Sequence, residues 1–207
     1  MRRAAALAAL TVALAAGPAH ARSKKEEFLE EKAAPRAADA KARAAWDKQL
    51  KKRIGKPAEP MITIVNGWTH EVLAVPEKPG KAGDDLPPKP IIDRFLRCRF
   101  TGKITDMEPR LLPTVIAAAR HFHSSRAVIV SAFRSPKYNL MLRKKGHQVS
   151  RDSQHTYGKA IDFRLDHVNA RDLDAWAKSL ALGGVGFYGE SAFVHMDTAR
   201  IRYWNGE

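Results

Sequence analysis

The sequence predicts an α+β domain built on a central antiparallel sheet, with a leader and a helical spacer ahead of it. Three observations carry that expectation. Apolar runs of strand length alternate with segments of helical spacing, the links into the later strands are short loops, and large apolar residues become dense only from Met61 onward. The 207 residues are 44% hydrophobic and 28% charged, the balance of a globular chain rather than a disordered one. The single cysteine, Cys98, excludes an internal disulfide framework and any multi-cysteine zinc or iron–sulfur site.

Residues 1–21 read as an export signal. Arg2 and Arg3 precede an apolar run from Ala4 to Ala16, Gly17-Pro18 breaks it, and Ala19-His20-Ala21 has the small-x-small pattern of a cleavage site. The run is shorter than the roughly 20 residues that a spanning helix needs. The expected location is therefore periplasmic or secreted, with no stable membrane span after cleavage and an unpaired thiol. The formal charge is +14. In an exported protein this points away from nucleic acid and toward anionic envelope material such as peptidoglycan. A basic surface that serves solubility alone is the open alternative.

Residues 22–60 are rich in Lys, Glu, Ala and Arg, and Phe28, Leu29, Trp46, Leu50 and Ile54 are too sparse to build a core. This is the expected basic, partly helical spacer, with one stretch running from Ala37 to Arg53. The domain proper is expected over 61–207. It opens with a hairpin in which Ile62, Ile64 and Val65 precede, and Val72 to Val75 follow, Asn66-Gly67-Trp68-Thr69-His70-Glu71. A loop over 77–90 leads on to a helix carrying Leu111, Leu112, Val115, Ile116, Ala119 and Phe122. That helix has Asp106 as its upstream cap and begins near Pro113. Ala127 to Phe133 is a short buried strand. Ser135-Pro136 caps a helix running to about Lys145, stopped by Gly146. Asn169 caps the next helix, with Leu173, Trp176, Ala177 and Leu180 on one face and Gly183-Gly184 at its end.

The segments that carry chemistry are Ser153 to Phe163 and Phe193 to Thr198. Side chains alternate along a strand. Ile161, Phe163 and Leu165 therefore turn toward the core while Asp162 turns away, and Val194 and Met196 turn in while His195 and Asp197 turn out. His155 joins them from the preceding loop across Gly158, where a missing side chain permits a close bend. Two imidazoles and one carboxylate suit Zn²⁺ and leave a coordination position for water. The site keeps net positive charge, which favours metal-assisted hydrolysis of an amide or related bond.

Ser153-x-His155-x-x-Gly158-x-Ala160-x-Asp162, followed by Phe193-Val194-His195-x-Asp197-Thr198 and Arg202-Tyr203-Trp204, resembles the signature of the D-alanyl-D-alanine carboxypeptidase and Hedgehog-type zinc peptidase superfamily. Within it the likeness is to the murein endopeptidase K-like branch. It runs from about Met61 to Trp204 and takes in Phe95 to Cys98, Thr105 to Leu112, Arg134 to Asn139 and Gly183 to Tyr188. The resemblance implies a Hedgehog/D,D-peptidase-like domain in which His155, Asp162 and His195 are the zinc ligands. It implies that Arg134 lies near the substrate carbonyl or carboxylate, where a planar guanidinium holds an anion or stabilises an oxyanion; a purely structural tie is the alternative. Ser153 is either a substrate hydrogen bonder or a plain turn residue. Carboxypeptidases of this group carry a Glu three residues before the last histidine, and here that residue is Ala192. Glu190 is the substitute candidate for general base, and Asp197 either orients a ligand or assists proton transfer. The implied function is an exported zinc metallopeptidase acting on peptidoglycan stem peptides or cross-links, as an endopeptidase or a D,D- or L,D-carboxypeptidase. A zinc-stabilised wall-binding module without turnover is the alternative. His70, His121, His123, His147 and His167 are expected at the surface, and Cys98 as a packed thiol.

Overall fold

The structure, a computed structural model, describes residues 40–52, 60–80, 86–147 and 149–206. The leader, residues 22–39 and 53–59 of the spacer, and residues 81–85 of the expected loop lie outside the described residues. In chain order the elements are a helix over 40–52 (α1), β1 (Met61–Asn66), β2 (Val72–Pro76), α2 (Lys89–Phe95), α3 (Leu111–His121), β3 (Arg126–Ser131) and α4 (Pro136–Lys144). A 3₁₀ turn at Gln154–Tyr157 follows, then β4 (Ala160–Leu165), α5 (Ala170–Ser179), β5 (Gly184–Tyr188), β6 (Phe193–Asp197) and β7 (Arg202–Gly206).

The strands form one sheet in the order β2-β1-β3-β4-β6-β5-β7. It is mixed rather than antiparallel throughout, because β1 pairs parallel with β3 and β5 parallel with β7. Both departures follow from the connections. Between β2 and β3 the chain runs through α2 and α3, a crossover long enough to bring β3 back beside β1. β6 already has β4 on one edge and β5 on the other, so β7 pairs with the free edge of β5.

Side chains from α3 and α5 cover one face. Leu111, Leu112, Val115, Leu173 and Ala177 pack there with Ile161, Phe163, Leu165, Val194 and Met196 from the sheet. Arg164 is exposed between two buried neighbours, as period-two alternation requires. The opposite face is thereby left to Asp162 and His195.

Two helix ends differ from expectation. Asp106 caps nothing: Arg110 holds the N-cap position of α3, without a side-chain cap bond, and Asp106 instead pairs with Lys89. α5 ends at Ser179, before the glycine pair, where Leu180 turns 42% exposed and Ala181 takes a positive φ of 47°. Ser135 and Asn169 do cap α4 and α5, accepting hydrogen bonds from the Tyr138 and Arg171 amides. Trp46 of α1 is only 2% exposed and joins the core, with Leu50 packed against it. Sparse apolar residues that cannot form a core of their own thus add to one already built by the sheet.

A candidate metal centre

β4 and β6 are antiparallel neighbours, and their register sets Asp162 directly opposite His195. Alternation turns both side chains to the face away from the helices, so two residues far apart in sequence meet as a cross-strand pair. His155 reaches them from the 3₁₀ turn. Gly158 ends that turn at φ 68°, and a Cβ there would stand 2.8 Å from the Asp106 carbonyl oxygen. Glycine is required at this bend on both counts.

The three side chains are buried, and one ligand atom from each lies within 4.8 Å of the others. His155 Nε2 is 3.2 Å from Asp162 Oδ1 and 3.1 Å from His195 Nδ1, and His195 Nδ1 is 2.7 Å from Asp162 Oδ1. The outer ring nitrogens fix the tautomers. His155 Nδ1 donates to the Ala132 carbonyl at 2.6 Å, and His195 Nε2 donates to Asp197 Oδ2 at 3.0 Å. With those protons outside, both inner nitrogens present lone pairs to a carboxylate oxygen. In the neutral rings three acceptors face one another without a hydrogen to share, and that is the arrangement a cation completes. The donor set of two imidazoles and a carboxylate fits Zn²⁺.

Electrostatics favour a cation between these atoms, either a proton on His195 Nδ1 or a metal ion in its place. Burial opposes the charged form of His195, yet hydrogen bonds to Asp162 and Asp197 push its pKa up to about 8. Burial likewise works against the Asp162 carboxylate, and His155 and His195 overcome it and hold the carboxyl well below its usual range. Burial pushes the His155 imidazole down, toward the neutral form that ligates metals.

Asp197 sits behind this cluster. It is fully buried, Oδ1 accepting from the amides of Gly184 and Ala199 and from Arg202 Nη1, and Oδ2 accepting from His195 Nε2 and from Arg202 Nη2 at 2.7 Å. Of the two roles expected for Asp197, this geometry matches orientation of His195, since both oxygens are engaged on the side away from the inner nitrogens.

Arg134 follows β3 and is 9% exposed. Its amide donates to the His155 carbonyl, and its guanidinium makes one long bond, 3.4 Å from Nη1 to Asn139 Oδ1. Among the described residues, Nε is buried without a partner. Ser153 is buried ahead of the 3₁₀ turn and makes no side-chain cap bond. Glu190 is exposed in the turn between β5 and β6. The pair Tyr188–Phe193 closes that hairpin two register steps beyond the pair Gly186–His195, which puts the Glu190 backbone more than about 7 Å further out. The structure therefore brings together His155, Asp162, His195 and Asp197, and leaves Glu190 apart from them.

Several supporting residues carried no role at the cluster in the sequence reading. Arg202 grips Asp197. Gly183 and Gly184 leave the space Asp197 occupies, since a Cβ on Gly183 would press on the Asp197 carbonyl. Trp204 lies against His195 with ring centroids 5.1 Å apart, over Gly186. The available signal was period-two alternation in β7, which puts Arg202 and Trp204 on one face. Cys98 is buried with its Sγ 3.4 Å from Ser135 Oγ, and His70, His121, His123, His147 and His167 are all exposed. No helix among the described residues is long and apolar enough to cross a membrane.

Among curated proteins, the chain is 33% identical over 117 residues to the probable peptidoglycan L,D-endopeptidase MepK of Haemophilus influenzae, covering 56% of this chain and 63% of that one. It is 32% identical over 114 residues to the peptidoglycan L,D-endopeptidase MepK of Escherichia coli K12, covering 55% of this chain and 63% of the relative. The matched segment thus spans less than two thirds of each relative's length. No solved structure matches. The hairpin β1–β2 falls outside the family match, whereas every residue of the cluster and both arginines beside it fall within. Residues 88–204, more than half of the chain, match the family model described as peptidoglycan L,D-endopeptidase MepK, and the chain belongs to that peptidase family.

Proposed function

We propose that the chain is an exported, zinc-dependent peptidase that hydrolyses an amide bond in peptidoglycan peptides, with the L,D-endopeptidase activity named for its relatives. One observation carries the reading: two imidazoles with outward protons and one carboxylate converge on a single point. His155, Asp162 and His195 would hold the ion. A bound Zn²⁺ supplies a Lewis acid that polarises an amide carbonyl and acidifies water. The remaining work belongs to the chain. Asp197 keeps the His195 proton at Nε2, so that Nδ1 stays available as a ligand. Arg134 offers an unpartnered N–H to the carbonyl oxygen or to a peptide carboxylate as charge develops. The Ser153 hydroxyl is a second donor for substrate. Proton abstraction by Glu190 requires the β5–β6 turn to bend toward the cluster when substrate binds.

The test is digestion of purified peptidoglycan by the protein with zinc, with released muropeptides identified by mass spectrometry. The expected result is products carrying a newly cut L,D bond, abolished by chelation and restored by zinc. Absence of products under conditions in which a known endopeptidase cuts overturns it.

Ala192 at the usual base position, together with the exposed Glu190, favours a second reading, a zinc-stabilised wall-binding module without turnover. Zinc-dependent sedimentation with peptidoglycan and no released fragments would select it.

A further inference from the structure

Arg134 and Arg202 already have a place at the cluster. A third guanidinium, that of Arg99, lies in the segment after α2. Four ties bind that segment to the one carrying Arg134. The Phe133 amide donates to the Leu96 carbonyl at 3.0 Å, Cys98 Sγ meets Ser135 Oγ, Arg99 Nε donates to the Tyr138 hydroxyl, and Phe100 stacks on Tyr138 at 5.3 Å. On its other side the Arg99 guanidinium lies 3.4 Å over the Trp68 ring, and Trp68 is itself held by a 2.7 Å bond from Nε1 to the Val130 carbonyl. Arg99 is therefore clamped between two aromatic rings, a fixed position rather than a sweeping surface side chain.

Its hydrogen-bonding capacity is nonetheless open. Nε has a partner, and no carboxylate among the described residues pairs with Arg99. Neighbouring arginines differ: Arg97 pairs with Glu71, and Arg202 with Asp197. Consecutive buried residues of α4, Tyr138 and Asn139, hold Arg99 and Arg134 respectively. Trp68 Nε1 and His155 Nδ1 bond to the carbonyls of Val130 and Ala132, two residues apart on one segment, so the ring under Arg99 and the cluster are anchored along the same stretch of chain. Trp68 and Phe100, 53% and 50% exposed, flank the spot with apolar surface suited to the carbon chain of a peptide.

We infer that Arg99 is a second carboxylate-binding residue, which with Arg134 holds an acidic peptide beside the metal cluster and sets a preference for substrates with a free carboxylate. The inference rests on the peptidase reading and specifies the charge of its substrate.

Calorimetric titration of the full zinc-loaded protein tests it with two probes, a stem tetrapeptide with free carboxylates and the same peptide fully amidated. The wild type is expected to bind the acid about tenfold more tightly or better, the range of a charged hydrogen bond. Arg99→Gln should lose about that factor for the acid and leave the amide unchanged, and Arg99→Lys, which keeps the charge without the fork, should fall between. Equal loss for both peptides marks a packing role and overturns the inference, as does no change for either, or no binding of the acid by wild type. Inorganic phosphate that competes as well as the peptide acid marks a general anion site and also overturns it. Turnover is not read, so a protein that cuts nothing fails the peptidase reading while the carboxylate preference is still measured.

Discussion

The back and the front of the cluster are built on opposite terms. Behind His195 both oxygens of Asp197 are answered: the residue, 0% exposed, accepts from two backbone amides, both terminal nitrogens of Arg202 and the imidazole. In front, Arg134 keeps a buried Nε without a partner and Ser153 makes no cap bond. A buried donor left open costs stability in the free protein, and a ligand that answers it recovers that cost. The back thus holds geometry, and the front is arranged for something that arrives. Substitutions on the two sides should fail differently.

The largest effect belongs to the cluster on which both sides depend. Asp162→Asn removes the one carboxylate of the proposed ligand set and should abolish tight zinc binding, read as metal content after dialysis. It should lower kcat/KM by at least about 10³-fold, several kcal/mol of lost transition-state stabilisation. Full metal content in this variant would mean that the ion sits elsewhere. On the front, Arg134→Gln should lower kcat by about 10²–10³-fold, the range for an oxyanion donor. Zinc content should stay at the wild-type level, and loss of zinc together with activity would assign Arg134 to the back instead.

Behind the cluster, Asp197→Asn should weaken zinc affinity by about 10–100-fold, the usual cost of removing a carboxylate that orients a metal-binding histidine. Competition with a chelator measures this. Unchanged affinity would show that strand register alone holds His195. Gly184→Ala acts one step further away. Its Cβ would stand 2.7 Å from Asp197 Oδ2 and crowd Arg202 Nη1. Overpacking of this kind costs about 1–3 kcal/mol, visible in chemical denaturation, and activity should fall less than in Asp197→Asn.

The division between front and back also marks what the sequence could reveal. Alternation of Ile161, Phe163 and Leu165 with Asp162 identifies the outward carboxylate, and Val194 and Met196 do the same for His195, because side-chain direction in a strand is local. That Asp162 and His195 face each other depends on register between strands 33 residues apart, which local pattern does not contain. The same limit applies to the two parallel pairings of the sheet, since a strand's partner is set by the connections and by which edges remain free. Asp197 was visible with two candidate roles, but the choice between them was not, because its partners come from β7 and from the start of β5. Trp46 was misleading for a related reason: burial depends on the surface a helix meets as well as on how many apolar residues it carries.

The smallest effect is expected where sequence and structure diverge most. Glu190 was the substitute for an absent Glu at position 192, chosen by spacing alone, and it lies exposed in a turn beyond the last pair of the β5–β6 hairpin. A general base must come within hydrogen-bond reach of its proton, roughly 3 Å directly or through one water. From more than about 7 Å along the strand, a side chain closes that gap only if the turn folds over the cluster. If the turn stays as it is, Glu190→Gln should change kcat by less than about threefold and leave the pH profile in place, because groups that deliver a proton in the transition state contribute about 10²–10⁴-fold. A loss in that larger range, with zinc content and KM unchanged, would require the turn to close on substrate and would move Glu190 from the periphery to the front of the site.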